Sequence, residues 1–518
     1  MNRKPSYHEL LLVLLGIIYI LFNLIYLTRF PFVHSDESWL GGLSRNILEL
    51  GDYSTTESFF DLYPRNPHAL KIFFHTLQII FIKLMGYEVF SLRLISLLFG
   101  LLSIYWFYKL TRLIFCSPLL AIASSILLAV DIQYIYASHF ARQEIILLFI
   151  FIFALHYFLK SISDIRLRHH LTLGTIIGLS IGLHPNSFLI FLSFVFLYLF
   201  YIFNKSVKLS GLLIFILIVG FFASSFIVLS LHFDPSFFCN YSSYGGQFGV
   251  LDSLGTKFME LRYFYQKLYY SVSGTYYTPD LRLQFMVFAI VFCLTLFKLY
   301  RAEDKKLSTK IIAIILSIIA INAGIMLIGR FNQTSIIFVF PLFYILVIYV
   351  LENIQKKLRF LSIALLSLSL IISSYLNIRP YIKYSYNEYL QQISTIVPKD
   401  SIVLANLNCE FYFDNNNLFD YRNLAYLREN SLDFKQYIEK NNIDFIIYPE
   451  EMELIFEQRP RWNGLYGNVY PYYHDMKDFL QHNCELVSEF SHPTYGVRIS
   501  EYINSKEWRI KIYKVIRD

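Results

Sequence analysis

The chain has 518 residues, of which 56% are hydrophobic, 18% aromatic and only 16% charged. That composition excludes a soluble globular enzyme and a disordered chain, and marks a polytopic membrane protein. The formal net charge of +7 does not argue for nucleic acid, because the basic residues fall in short loops between apolar runs, where they report orientation.

The first apolar run, 10–29, is long enough to span a bilayer. It lacks a small-residue cleavage site and leads into Thr28-Arg29-Phe30-Pro31, so it reads as an anchor and not as a removed signal. Directly after it comes Val33-His34-Ser35-Asp36-Glu37-Ser38-Trp39. Carboxylates at a lipid–water boundary cost solvation unless they have a task or a cationic partner. Two readings are open: a catalytic pair, or Ser35 or Asp36 capping a helix that runs through Trp39, Leu40, Leu43 and Ile47 to Gly51.

The next run, 69–86, is ambiguous. His68, Lys71, His75 and Gln78 recur on one stripe of an otherwise apolar helix, the pattern of a helix lying in the interface. Further runs at 91–110, 118–138, 144–160, 171–184, 186–203, 211–231, 283–299, 311–329, 334–351 and 360–376 predict about eleven spans in all. If 69–86 does not cross, six basic clusters share the cytoplasmic side: Arg3/Lys4, Lys109/Arg112, Lys160/Arg166/Arg168, Lys205/Lys208, Arg301/Lys305/Lys306/Lys310 and Lys356/Lys357/Arg359. His169 and His170 then read as solvated cytoplasmic residues. The opposite side receives a first loop of about 30–90, a second of about 232–282, and the region 381–518.

This divides the chain into an α-helical membrane domain, 1–380, and an extracytoplasmic α/β domain, 381–518. In the latter, 401–405, 443–448 and 508–515 read as strands and 431–441 as a helix. No phosphate loop, nucleophile elbow or zinc signature occurs there, so a lid or docking role is expected. The five cysteines have no metal-like spacing, and only Cys409 and Cys484 are placed to form an external disulfide. Tyr241, Tyr244, Gly245, Gly246, Tyr276 and Tyr277 suit stacking on a sugar or packing on lipid headgroups, with the second favoured.

The same topology gathers polar residues from distant segments at one level: His34, Asp36, Glu37, Arg65, His68, Lys71, Arg93, His139, Arg142, Glu144, His184, Asn186 and Arg330. Each cation alone reads as an interfacial anchor. Together, a base and several phosphate-binding groups are what transfer from a phosphate ester needs.

Four short motifs in order resemble the GT-C glycosyltransferases, in particular the protein O-mannosyltransferase and lipid A aminoarabinose transferase branch. They are His34-Ser-Asp36-Glu37 after the first span; Lys83-Leu-Met-Gly86 followed by Glu88-x4-Arg93-Leu-Ile-Ser; Ala141-Arg142-Gln143-Glu144; and Arg330-Phe331 with Pro341. Asn66-Pro67-His68-Ala69-Leu70-Lys71 departs from the Lys-Pro-Pro or His-Pro-Pro of many members, and Glu144 stands where the family has Asp. The resemblance implies a multi-pass transferase that takes a sugar from a polyprenyl-phosphate donor; the compact single chain leans toward a prokaryotic cytoplasmic membrane. The acceptor would be a hydroxyl on lipid, glycan or protein.

It further implies Asp36 as general base and Glu37 as its catalytic neighbour. His68, Lys71, Arg142 and Arg330 would hold the donor phosphate, with His34, Arg93, Glu144 and His184 in support. No cofactor is required; a divalent metal on His34, Asp36, Glu37 and Glu144 is an option the spacing leaves open. Competing classes are a transporter or flippase, or a polymerase, of lipid-linked saccharides.

Overall fold

The computed structural model describes residues 6–247, 249–272, 276–493 and 508–517. The first helix, α1 (Tyr7–Tyr26), starts at Ser6, whose hydroxyl accepts the Glu9 N–H while Glu9 accepts the Ser6 N–H. Two shorter helices follow, α2 (Ser35–Leu50) and α3 (Ile72–Met85). They pack on each other, and the Ser44 hydroxyl of α2 bonds His75 at 2.8 Å and Gln78 at 2.7 Å on α3. The polar stripe of 69–86 thus faces a protein neighbour. At 14 residues, α3 is shorter than the roughly 20 a bilayer needs.

The bundle proper consists of α4 (Val89–Phe115), α5 (Pro118–Ala129), α6 (Ile132–His139), α7 (Glu144–Ser161), α8 (Leu167–Ser180), α9 (Ser187–Phe203) and α10 (Leu209–Phe233). Two surface helices come next, α11 (Phe237–Gly246) and α12 (Leu254–Tyr269). The bundle closes with α13 (Arg282–Tyr300), α14 (Lys305–Ile328), α15 (Phe340–Leu351) and α16 (Lys356–Ile382). Among the described residues eight helices are long and apolar enough to cross a membrane, or nine if the α5–α6 pair is one span. The expected eleven included α8 and α9, which at 14 and 17 residues fall short.

The outer helices expose apolar stripes: Leu213, Leu217, Phe221 and Val228 on α10, and Leu361, Leu365, Leu368 and Ile372 on α16. Such faces are stable only against lipid. The expected multi-pass membrane protein is what folds.

Close approach explains why the short α8 stays in the bundle. Gly174, Gly178 and Gly182 recur every four residues, and a Cβ at each would lie 2.8, 2.5 and 2.6 Å from Ile218, Phe222 and Phe226 of α10 respectively. Small residues at this spacing let two helix backbones meet without a hydrophobic driving force. His170 also turns inward here: it is buried, and its Nδ1 lies 2.8 Å from the Tyr198 hydroxyl of α9. The solvated role expected for it is wrong, because α8 begins at Leu167 and already carries it into the bundle; His169 does remain near the surface.

Between α5 and α6 the chain bends by 66°. Asp131 caps α6 by accepting the N–H groups of Gln133 and Tyr134, and its other oxygen accepts from Gln284 at 3.0 Å and Tyr344 at 2.7 Å. This buried carboxylate is fully used in holding the break.

Beyond α16, α17 (Tyr386–Ser394) leads into an α/β domain with β1 (Val403–Ala405), β2 (Leu418–Asp420), α18 (Phe434–Lys440), β3 (Phe445–Pro449), α19 (Glu451–Gln458), α20 (Tyr473–His482), β4 (Cys484–His492) and β5 (Trp508–Val515). The sheet order is β2-β1-β3-β5-β4. β1 runs parallel to β2 and β3, while β5 is antiparallel to β3 and β4, with Val403 beside Phe445 and Phe445 beside Lys514. Two strands escape the sequence pattern, the three-residue β2 and the mostly exposed β4. Cys409 and Cys484 are free thiols, and Cys409 packs 3.0 Å from the Tyr389 hydroxyl.

This domain clamps the first loop. Arg45 of α2 reaches across to the Glu410 carboxylate and to the Phe413 carbonyl at 2.8 Å, stacks on Tyr87, and Tyr87 donates to Glu410. The Asp420 N–H and the Asn423 amide both donate to the Phe59 carbonyl.

Candidate active site

The N-terminus of α2 is built by reciprocal capping. His34 Nδ1 accepts the Asp36 N–H at 3.0 Å, and the His34 N–H donates to Glu37 at 2.9 Å. The cap is therefore His34, one residue before Ser35 and two before Asp36, the expected caps, and Gly51 ends the helix in the left-handed region, as its sequence indicates. Because Nδ1 accepts, its 3.5 Å approach to Asp36 is not an ion pair.

Adjacent carboxylates then diverge. Glu37 is fully buried and takes a bidentate pair from Arg93 of α4, both bonds at 2.7 Å, together with the Ala141 N–H at 3.0 Å. The same Arg93 donates to the Leu27 and Pro31 carbonyls, both at 2.8 Å. This knot ties the end of α1, the start of α2, α4 and the 140–142 turn. Protein groups occupy both of its oxygens, which suits the orienting part of the role expected for Glu37. Arg93 likewise is a brace and not a snorkelling anchor.

Asp36 points the other way, with its side chain 24% exposed. Its Oδ2 accepts from Arg142 at 2.9 Å and from the Tyr276 hydroxyl at 2.6 Å. Tyr276 stacks on His34, with ring centroids 4.8 Å apart, and the Arg142 guanidinium lies over its face at 4.9 Å. Arg142 also pairs with Glu144 at 3.0 Å, and Thr334 donates to that carboxylate at 2.8 Å. Burial opposes the charge of Arg142, yet Glu144, Tyr276 and Asp36 outweigh it and hold its acidity below the ordinary arginine level. Its buried Nε has no hydrogen-bond partner among the described residues, nor has Glu144 Oε2.

Cations from three segments, Lys71, Arg142 and Arg330, act on one another near this carboxylate. Burial first, then the charges of Arg142, Arg330 and Arg65, push the Lys71 ammonium down to about 8, with Asp36 pulling the other way. His68 is pushed down to about 3 by burial and then by Lys71 and Arg65, a shift that favours its neutral form over the cation expected. His184 is lowered too, by burial and then by Lys71, Arg142 and Arg330; its Nδ1 accepts the Asn186 N–H at 3.0 Å. Arg65 stands apart from the cluster's chemistry: it pairs with buried Glu57 through two bonds of 2.9 and 3.0 Å and lies over Trp39. His139 sits in the core between the Phe30 carbonyl and Asn23.

His34, Asp36, Glu37 and Glu144 do not form a metal-ligand group, and among the described residues no three His, Cys, Asp or Glu side chains gather in that way. Tyr276 was missed as a partner of Asp36, and Glu57 as the partner of Arg65. Tyr276 was legible only as one aromatic in a tyrosine-rich loop, and Glu57 carries no local motif.

The family model for dolichyl-phosphate-mannose-protein mannosyltransferases matches residues 69–228, a span that contains Lys71, Arg93, Arg142, Glu144 and His184. No curated protein matches the chain by sequence. Among solved structures, ArnT from Cupriavidus metallidurans bound to undecaprenyl phosphate superposes with a TM-score of 0.64 at 13% identity, covering 97% of each chain. The apo oligosaccharyltransferase of Archaeoglobus fulgidus gives 0.56 at 14% identity, over 87% of this chain and 70% of that one. The archaeal oligosaccharyltransferase AglB from the same organism, in complex with an inhibitory peptide and a dolichol-phosphate, gives 0.53 at 15% identity over 86% and 70%. The chain has the GT-C-like fold and resembles that superfamily's ArnT and protein mannosyltransferase branch.

Proposed function

We propose that the protein is a glycosyltransferase that moves a sugar from a polyprenyl-phosphate donor to an acceptor hydroxyl, on the extracytoplasmic side of a prokaryotic cytoplasmic membrane. The observation that carries this reading is a partly exposed carboxylate, Asp36, bonded to Arg142, with Lys71 under the electrostatic influence of Asp36, Arg142 and Arg330. Cations that lower one another's basicity are stable together when an anion joins them. A phosphate monoanion bearing a sugar fits that need, and the buried Arg142 Nε offers it an unused donor.

Asp36 is the general base. It takes the proton of the acceptor hydroxyl as that oxygen forms a bond to the anomeric carbon. The bond from that carbon to the phosphate oxygen breaks with inversion, and its electron pair leaves on the lipid phosphate. Lys71, Arg142 and Arg330 stabilise that leaving anion, so no general acid is needed. Tyr276 and Arg142 fix the carboxylate rotamer, and Glu37 with Arg93 fixes the helix that carries it.

The test is turnover by purified protein with a panel of radiolabelled polyprenyl-phosphate sugars, wild type against Asp36→Asn. A positioned base contributes about 10²–10⁴-fold, so the variant is expected to lose activity by that factor while keeping its thermal stability. Wild-type activity in a folded Asp36→Asn protein would remove Asp36 as the base, and silence of the wild type on the whole panel would remove the transferase reading.

A further inference from the structure

A cavity of about 180 Å³ opens beside Lys71. It is walled by the 63–71 segment of the first loop, by residues 234–247 in and before α11, and by Tyr426 of the α/β domain. None of the bundle's long apolar helices contributes its central turns. Four tyrosines, 63, 241, 244 and 426, face it, and their rings interlock: Tyr63 meets Tyr426 edge-on at 5.7 Å, and Tyr241 meets His68 at 5.6 Å. Between the rings stand the amides of Asn66 and Gln247 and the hydroxyl of Ser243. The buried His68 Nδ1 has no partner among the described residues, and Asp234 is steadied by the Asn240 amide at 2.8 Å.

Arg65 lines the cavity too, but its charge is already paired with Glu57; aromatic faces set among amides and hydroxyls, with little aliphatic lining, recognise a ring that is apolar on its faces and hydroxylated at its edge. A lipid tail would find few apolar partners here. A phosphate would be held at the Lys71 end of the cavity, where that ammonium feels Arg142, Arg330 and Asp36. Because the walls come from loops and from the α/β domain, the cavity faces the side from which a water-soluble acceptor arrives.

We infer that this cavity is a saccharide-binding subsite that holds the acceptor, so the acceptor is a neutral glycan and not a protein side chain or a lipid headgroup. The word acceptor rests on the transferase reading; the saccharide site does not. On this reading Tyr241 and Tyr244 of the second loop stack on sugar instead of packing on lipid headgroups.

Saturation-transfer NMR on the detergent-solubilised full chain, with a panel of free monosaccharides and short neutral oligosaccharides, tests the site directly. We expect at least one oligosaccharide to bind. Its affinity should fall about tenfold in Tyr241→Ala and in Gln247→Ala, the size of one lost aromatic or polar contact. Tyr241→Phe, which keeps the ring and guards against misfolding, should stay within roughly threefold of wild type. Absence of binding to the folded wild type, or binding indifferent to both alanine variants, overturns the inference. A response confined to monosaccharides and displaced by a polyprenyl-phosphate sugar would make the cavity the donor's, and overturns the acceptor assignment. Failure of donor turnover with saccharide binding intact would strike the transferase reading instead, so the two failures are separable.

Discussion

Asp36 and Glu37 show how one peptide bond separates chemistry from scaffolding. Both lie in the first turn of α2, but the helical turn sends Glu37 into the protein and leaves Asp36 at the site. Removing one partner of a buried ion pair costs about 3–5 kcal/mol. Glu37→Gln and Arg93→Met should each therefore lower the thermal midpoint in detergent sharply, in contrast to Asp36→Asn; a near-wild-type midpoint for both would deny the brace. Lys71 sets a pH dependence of known sign. Its ammonium is lowered from the ordinary 10.5 to about 8, so in free protein it loses its proton as pH rises through 8. Donor-phosphate affinity should fall above that pH, and Lys71→Arg should carry the loss to higher pH. Stability moves oppositely: between 8 and 10.5 the unfolded chain binds the extra proton, so this group's contribution to folding rises with pH. A donor affinity flat from pH 7 to 10 in wild type would remove Lys71 from phosphate binding.

At the scale of elements, packing decides what length and hydropathy leave open. The α8 helix is too short to span on its own, and its Gly174 and Gly178, with Gly182 just past its end, anchor it to α10. Gly178→Leu places a side chain where a Cβ already lies 2.5 Å from Phe222. Overpacking of this kind costs roughly 1–3 kcal/mol, here by prising α8 from α10. We expect lower yield and a lower thermal midpoint, while Gly220→Leu on α10, where a Cβ meets nothing within 4 Å, should be tolerated. Equal tolerance of both would show that the α8–α10 contact does not hold the bundle. The α3 helix makes the complementary point: its polar stripe was visible in sequence, but only the Ser44 contacts say that it meets α2.

Across the whole molecule, the α/β domain holds the first loop over the site instead of hanging from the last helix. Arg45, Tyr87 and Glu410 form its deepest tie, and Glu410→Ala leaves Arg45 buried without its counter-charge, a loss of about 3–5 kcal/mol. Limited proteolysis should then cut more readily near 383–385, between α16 and α17, and transfer should weaken although no substrate-facing group has changed. Unchanged proteolysis would mean that the other contacts suffice. By itself the sequence determined the class of the chain, the order of its apolar segments, the acidic motif and the α/β tail, because these follow from composition and from local periodicity of about 3.6 or 2 residues. Only the tertiary structure decided that Glu37 braces while Asp36 faces the site, that Tyr276 from a loop 240 residues away completes the carboxylate's surroundings, that burial and Lys71 lower the basicity of His68, and that eight or nine helices among the described residues reach spanning length. Those outcomes depend on burial and on through-space charge between residues far apart in the chain, and no local pattern encodes either.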